Sequence, residues 1–179
     1  TLTECMQRFV GHTVKSQREV IEANTGVPLT DEWLQQFFAR RNERLERQIT
    51  AIDGIHDAVA HLHDYCDGRI AVASGADRFK VEMMLRKVDL HRFFEGRIFS
   101  GHEMPRSKPH PDVYLAAAAH LQVAPERCLV VEDTTVGITA GVAAGATVWA
   151  YAPHGVDVAL LQQAGATRIL PSMQALRLA

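Results

Sequence analysis

The hydrophobic pattern changes near residue 50 and divides the chain into two parts. Before that point no segment has the pattern of a convincing strand, whereas residues 31–48 place apolar side chains at helical spacing after Thr30, a typical helix cap. From residue 51 onward, short apolar segments alternate with amphipathic ones. This alternation predicts five strands separated by helices, with the strands at residues 69–74, 97–101, 128–132, 147–152 and 167–170.

Regular alternation of this kind is typical of a parallel sheet that is covered by helices on both faces. The pattern therefore predicts a doubly wound α/β core over residues 51–179 and a small all-helical domain over residues 1–50. Gly137, Gly141 and Gly145 are four residues apart, which would let one helix lie close to the sheet. The arginines of the helix over residues 31–48 are expected to form a solvated face.

Composition excludes several classes of protein. The chain has 179 residues, 47% of them hydrophobic and 22% charged, with a formal net charge of -2. Its lysines and arginines are scattered and form no basic stripe, so we expect no nucleic-acid partner. It shows no apolar run of membrane-spanning length, no signal-peptide pattern and no CxxC pair among its three cysteines. We therefore expect a soluble cytoplasmic protein without a membrane partner, monomeric or weakly dimeric.

Polar residues with complementary chemistry follow the buried strands. Ser74 and Gly75 end the first strand, Glu132 and Asp133 end the third, and Lys108 lies in a loop stiffened by Pro105, Pro109 and Pro111. In a parallel sheet the carboxyl ends of the strands form the ligand crevice. A hydroxyl, an ammonium and two adjacent carboxylates at that crevice would suit a phosphoryl group together with a magnesium ion.

Each of these residues also has a simpler interpretation. Ser74 would serve as a cap of the next helix, Lys108 as an exposed loop lysine, and the two carboxylates as caps of the helix that begins near Thr134. A second cluster, His61, His63 and Cys66, has no fourth ligand at a spacing suitable for zinc, so a solvated helix face is favoured there.

The combination resembles a known family. In order, the strings SGAD, SKPHPDVY and VVEDTTVGITAGVAAG resemble the second, third and fourth motifs of the haloacid dehalogenase-like (HAD) hydrolase superfamily, over residues 50–152. The resemblance implies a Rossmann-like core. It also implies that the helical residues 1–50 are the small cap of the branch that includes proteins like phosphoglycolate phosphatase, 6-phosphogluconate phosphatase and β-phosphoglucomutase.

The resemblance further implies a mechanism and a role for each residue. An aspartate of the first motif attacks the phosphorus of a small phosphorylated metabolite, and water then hydrolyses the aspartyl-phosphate. Ser74 and Gly75 would bind phosphoryl oxygens, and Lys108 would balance the charge between the phosphoryl group and the nucleophile. Glu132 and Asp133 would hold Mg²⁺. In the cap, Arg8, His12 and Lys15 are candidates for substrate contact.

The first motif, a DxDGT-like string, has no good match in the chain. Asp53-Gly54 and Asp67-Gly68 resemble it superficially, but neither follows an apolar strand. In the family this motif's strand lies between the strands that here end at Ser74 and Glu132. We therefore expect the parent protein to carry the nucleophile on a further N-terminal segment of roughly 15 to 30 residues, and this chain alone to be inactive. A phosphomutase and a nucleophile-free phosphate-binding relative remain as alternatives.

Overall fold

The computed structural model describes Glu4, Val14, residues 17–154 and residues 156–176. Its helices are α1 (Arg18–Thr25), α2 (Asp31–Gln48), α3 (Ile55–Tyr65), α4 (Arg78–Lys87), α5 (His91–Phe94), α6 (Asp112–His120), α7 (Thr135–Ala143) and α8 (Val158–Gln163). Its strands are β1 (Val72–Ser74), β2 (Ile98–Ser100), β3 (Leu129–Glu132), β4 (Thr147–Tyr151) and β5 (Arg168–Leu170). The order of the elements matches the predicted alternation.

The helical part that precedes the first strand follows local sequence signals. Thr30 caps α2 by accepting a hydrogen bond from the backbone N–H of Trp33. Gly26, with φ of +67°, ends α1 in the left-handed conformation that glycine favours. Within residues 17–50 the structure contains helices and loops and no strand, so the predicted helical character is confirmed for that range. The four-residue helix α5 was not predicted, because one turn is too short to show a helical period.

The strands pair in parallel, as predicted, but they form two sheets. β1 pairs with β2, and β4 lies between β3 and β5. The parallel arrangement is interrupted between β1 and β3, which are not hydrogen-bonded to each other. The interruption falls where the family resemblance expects one more strand.

Helices on both faces hold the two sheets together. On one face, neighbouring residues of α3 pack in opposite directions: Val59 joins the cluster around β1 and β2, and Ala58 joins the cluster beside β4 and β5. The largest buried cluster contains residues of α6, α7, β3 and β4, with Ala73 of β1 packed against it. This packing brings the carboxyl ends of β1 and β3 into one neighbourhood.

Candidate active site

Lys108 lies at the junction of the two sheets. Its ammonium donates a hydrogen bond to the backbone carbonyl of Ala73 in β1, at 3.2 Å, and forms an ion pair with Oε1 of Glu132 at the end of β3. Only 9% of the Lys108 side chain and 10% of the Glu132 side chain are exposed. The structure therefore brings together two predicted site residues in a buried ion pair that links the ends of β1 and β3.

The carboxylate of Glu132 accepts hydrogen bonds on both oxygens. Besides Lys108, Oε1 accepts from the hydroxyl of Tyr114 at 2.6 Å. Oε2 accepts from the backbone N–H groups of Asp133 and Thr134, at 3.1 and 3.3 Å, and from the Thr134 hydroxyl at 3.1 Å. Burial alone would raise the pKa of Glu132, but Lys108 and then the other donors hold this pKa below its ordinary value. The group is therefore ionised and held in one orientation.

The start of α7 is shaped around this carboxylate. Thr134 is the N-cap of the helix, and its hydroxyl oxygen accepts from the backbone N–H of Gly137 at 3.0 Å while also donating to Glu132. A Cβ atom at Gly137 would lie 2.1 Å from Cδ of Glu132. The carboxylate occupies the space of a side chain at residue 137. Glycine is thus required there by the site, in addition to the helix packing that the sequence predicts.

Asp133 is the more exposed of the two carboxylates. Partial desolvation, followed by the neighbouring negative charge of Glu132, raises the pKa of Asp133. Asp133 forms no ion pair with another described residue. A carboxylate of this kind, beside a second acidic group, fits an oxygen-preferring cation such as Mg²⁺. The described residues contain no group of three or more His, Cys, Asp or Glu that could hold a metal, so a metal here would need further oxygen ligands.

Ser74 lies at the carboxyl end of β1, one residue after the Ala73 carbonyl that Lys108 contacts. Its Oγ accepts a hydrogen bond from the backbone N–H of Ala76 at 3.1 Å, whereas the N-cap of α4 is Asp77. The alternative in which Ser74 caps the helix is therefore not what the structure shows. The space next to Gly75 is open, with no heavy atom within 4 Å of the position that a Cβ atom would take.

An arginine of α2 reaches the loop that follows Ser74. Arg41 forms an ion pair with the carboxylate of Asp77 at 3.1 Å, and its guanidinium lies 4.7 Å from the centre of the Phe38 ring. Partial burial would raise the pKa of Asp77, but the backbone N–H of Lys80 and the Arg41 guanidinium hold this pKa below its usual value. The expectation that the arginines of this helix form a solvated face is wrong for Arg41, because its partner is distant in sequence.

Arg41 also lines an open groove of about 620 Å³ along α2, together with the other arginines of this helix. The groove is also lined by Trp33 and Phe37, whose rings stack with centres 5.3 Å apart. Arg40, Arg44 and Arg47 are exposed along it, as the sequence predicts for a solvated face.

Sequence reasoning did not assign a role to Tyr114, Thr134, Asp77 or Arg41. The signals for three of them were present: Tyr114 belongs to the SKPHPDVY string, Asp77 belongs to the SGAD string, and Thr134 directly follows the acidic pair. Burial, followed by the negative charge of Glu132, raises the pKa of Tyr114 far above its ordinary value, so its hydroxyl stays protonated and can donate. Arg41 lies at the helical spacing of the apolar residues of α2, but nothing in the sequence indicates its partner.

Some predictions fall outside what the structure describes. Arg8, His12 and Lys15, the proposed substrate contacts of the cap, lie outside the described residues. Within the described ranges, no helix is long and apolar enough to cross a membrane. The cytoplasmic location and the oligomeric state stay predictions.

Comparisons with known proteins agree with the resemblance. Residues 3–151 match the family model of the haloacid dehalogenase-like hydrolases. The chain is 30% identical over 146 residues to a bifunctional riboflavin kinase/FMN phosphatase of Arabidopsis thaliana, covering 79% of this chain and 37% of that protein. It is 25% identical to the 6-phosphogluconate phosphatase of Escherichia coli, covering 87% of this chain and 70% of that protein.

Structural similarity extends over nearly the whole chain. A HAD family hydrolase of Deinococcus radiodurans, solved with bound phosphate and sodium, has a TM-score of 0.75 and 30% identity, covering 99% of this chain and 79% of that one. The chain spans little more than a third of the length of the Arabidopsis thaliana riboflavin kinase/FMN phosphatase. The fold, with its Rossmann-like core and helical first part, is the predicted one, and the chain belongs to the haloacid dehalogenase-like hydrolase family.

Proposed function

We propose that the parent protein is a magnesium-dependent phosphatase that hydrolyses a small phosphate monoester, a sugar phosphate or an organic-acid phosphate. The observation that carries this proposal is the position of Lys108. Its ammonium contacts the end of β1 beside Ser74 and the carboxylate of Glu132 beside Asp133. One buried cation thus connects the predicted phosphate-binding residues with the predicted metal-binding residues.

Each residue has a defined task in this proposal. The hydroxyl of Ser74 and the backbone N–H of Gly75 donate to phosphoryl oxygens, and the open space at Gly75 supports this role. Lys108 neutralises negative charge as the phosphoryl group is transferred. Asp133 and Glu132 would hold Mg²⁺. When bound, the ion would offset charge on the phosphoryl oxygens.

The attacking aspartate is proposed to belong to a strand between β1 and β3. Two unpaired strand edges face that region, and buried backbone groups without hydrogen-bond partners are costly. An N-terminal segment of the parent protein would supply this strand. Its aspartate would displace the alcohol from phosphorus, and water would then release phosphate and regenerate the carboxylate.

We also propose that residues 1–50 act as a cap over the core formed by residues 51–179. The ion pair between Arg41 and Asp77 supports a cap that closes beside the phosphate-binding loop. Arg8, His12 and Lys15 remain proposed contacts.

The test is an assay of the full-length parent protein with a panel of phosphorylated metabolites. Release of inorganic phosphate that needs Mg²⁺ is expected, and the variants Ser74→Ala and Lys108→Met should lose it. Lys87→Met is a matched control, because Lys87 is exposed at the end of α4.

Two results would replace the proposal. Turnover of a phosphosugar into its isomer without phosphate release would indicate a phosphomutase. Binding of phosphate and Mg²⁺ without turnover of any ester would indicate a nucleophile-free relative.

A further inference from the structure

We propose that Tyr114 is a positioning residue of this site, whose hydroxyl fixes the carboxylate of Glu132 and whose ring holds the ammonium of Lys108. The inference rests on the proposed phosphatase function only for its kinetic consequences. The contacts themselves belong to the fold.

The geometry places Tyr114 against both partners at once. Its side chain lies in the first turn of α6, and the residue is only 8% exposed. The hydroxyl donates to Oε1 of Glu132 at 2.6 Å, and the ammonium of Lys108 lies 4.6 Å from the centre of the ring. Tyr114 therefore has a polar contact with one member of the ion pair and an aromatic contact with the other.

Of the two side chains in the ion pair, Lys108 is the more flexible and gains more from being held in place. Its four-carbon chain has many rotamers, and ordering it costs side-chain entropy. Three contacts fix the ammonium of Lys108: the Ala73 carbonyl, the Glu132 carboxylate and the face of the Tyr114 ring. The Tyr114 hydroxyl acts on Lys108 indirectly, because it holds the oxygen of Glu132 that Lys108 binds.

The hydroxyl and the ring can be tested separately. Tyr114→Phe keeps the ring above Lys108 and removes only the donor to Glu132. Tyr114→Leu removes the aromatic face as well. Tyr151→Phe is the matched control, because it removes a tyrosine hydroxyl near the end of β4, outside this network.

The first experiment measures phosphate release by the full-length parent protein. For Tyr114→Phe we expect kcat to fall about ten- to a hundredfold, the effect of one hydrogen bond to a charged group. Tyr114→Leu should lose about a further three- to tenfold, since the cation–π contact is lost too. KM should change less than about twofold in both, because Tyr114 contacts the positioned groups and not the ester. A purely structural role would lower the melting temperature and leave kcat of the folded enzyme unchanged.

The second experiment needs no turnover and so separates this inference from the proposed function. Melting temperatures are compared for Tyr114→Phe, Glu132→Gln and the double variant. If the hydroxyl holds Glu132, removing it from the Glu132→Gln protein should shift the melting temperature less than removing it from the wild type. If Glu132→Gln does not fold, Glu132→Leu replaces it in the cycle, because leucine has no acceptor for the Tyr114 hydroxyl.

Three results would overturn the inference. One is additive shifts in the thermal cycle. Another is wild-type kcat in Tyr114→Phe, and the third is an equal loss of kcat in Tyr151→Phe.

Discussion

Replacement of Gly137 by alanine should damage the site more than it damages the fold. A Cβ atom there would lie 2.1 Å from Cδ of Glu132 and 2.2 Å from each carboxylate oxygen. Carbon atoms out of bonding contact prefer about 3.5 to 4.0 Å, so the carboxylate would have to move by about 1 Å or more. It cannot do so freely, because Lys108, Tyr114 and Thr134 hold it from different sides.

The magnitude follows from the hydrogen bonds that such a shift would break. A hydrogen bond to a charged group contributes about 1.5 to 3 kcal/mol, so losing two would cost about 3 to 6 kcal/mol. Alanine gains about 1 kcal/mol over glycine in a helix interior. We therefore expect Gly137→Ala to lower the free energy of unfolding by about 2 to 5 kcal/mol. If about 3 kcal/mol of orientation is lost at the transition state, kcat falls by about 100-fold.

Gly141→Ala is the matched control, one turn further along α7. Its Cβ atom would lie 2.8 Å from Cγ2 of Val148 and 3.4 Å from Cγ1 of Val130, two apolar side chains, and these are the nearest residues that it would meet. Overpacking of this kind costs about 1 to 3 kcal/mol, again offset by the helix preference of alanine. This variant should lose some stability and keep the kcat of its folded fraction.

Urea unfolding followed by circular dichroism, together with phosphate release by the full-length protein, measures both effects. The reasoning is refuted if Gly137→Ala is as active as the wild type. It is also refuted if both alanine variants lose stability and activity in the same proportion.

Three further predictions concern the charged groups. Lys108→Met leaves the buried carboxylate of Glu132 without its cation and should cost about 3 to 5 kcal/mol in urea unfolding; a loss below about 1 kcal/mol would contradict the buried pair. The pKa of Asp77 is lowered in the folded state, so its stabilisation is complete above its ordinary pKa and disappears as the pH falls through the folded-state pKa. Arg41→Gln should therefore cost at most about 1 kcal/mol at neutral pH, since the pair is partly exposed, and nothing in strong acid. Melting curves across that pH range test this, and a difference that persists in acid would point to lost packing. Asp133→Asn should raise the Mg²⁺ concentration for half-maximal phosphate release at least about tenfold, because it removes a charged ligand. It should not lower the free energy of unfolding, because it also removes the repulsion between Asp133 and Glu132. An unchanged Mg²⁺ requirement would argue against Asp133 as a ligand.

Local signals in the sequence determined most of the secondary structure. Thr30 caps the long helix as its residue type predicts, and the strand ends at Ser74 and Glu132 fall where they were expected. Caps and strand ends depend on the periodicity of neighbouring side chains and on the backbone preferences of single residues, and both can be seen in short segments of the sequence. Because parallel strands present their carboxyl ends at one edge of a sheet, the sequence also predicted that the candidate residues lie near one another.

Tertiary structure alone decided which side chains meet. Arg41 and Asp77 are 36 residues apart in sequence, and the helical spacing that places Arg41 beside apolar residues of α2 does not indicate which residue it pairs with. The hydroxyl of Tyr114 reaches Glu132 across 18 residues because α6 and β3 pack together in one core.

Hydrophobic alternation does not specify strand pairing, so the interruption between β1 and β3 was expected only from the family resemblance, which places one more strand there. Hydrophobic periodicity indicates which face of a helix or strand is buried. Only the packed fold determines which residues, distant in sequence, are in contact there.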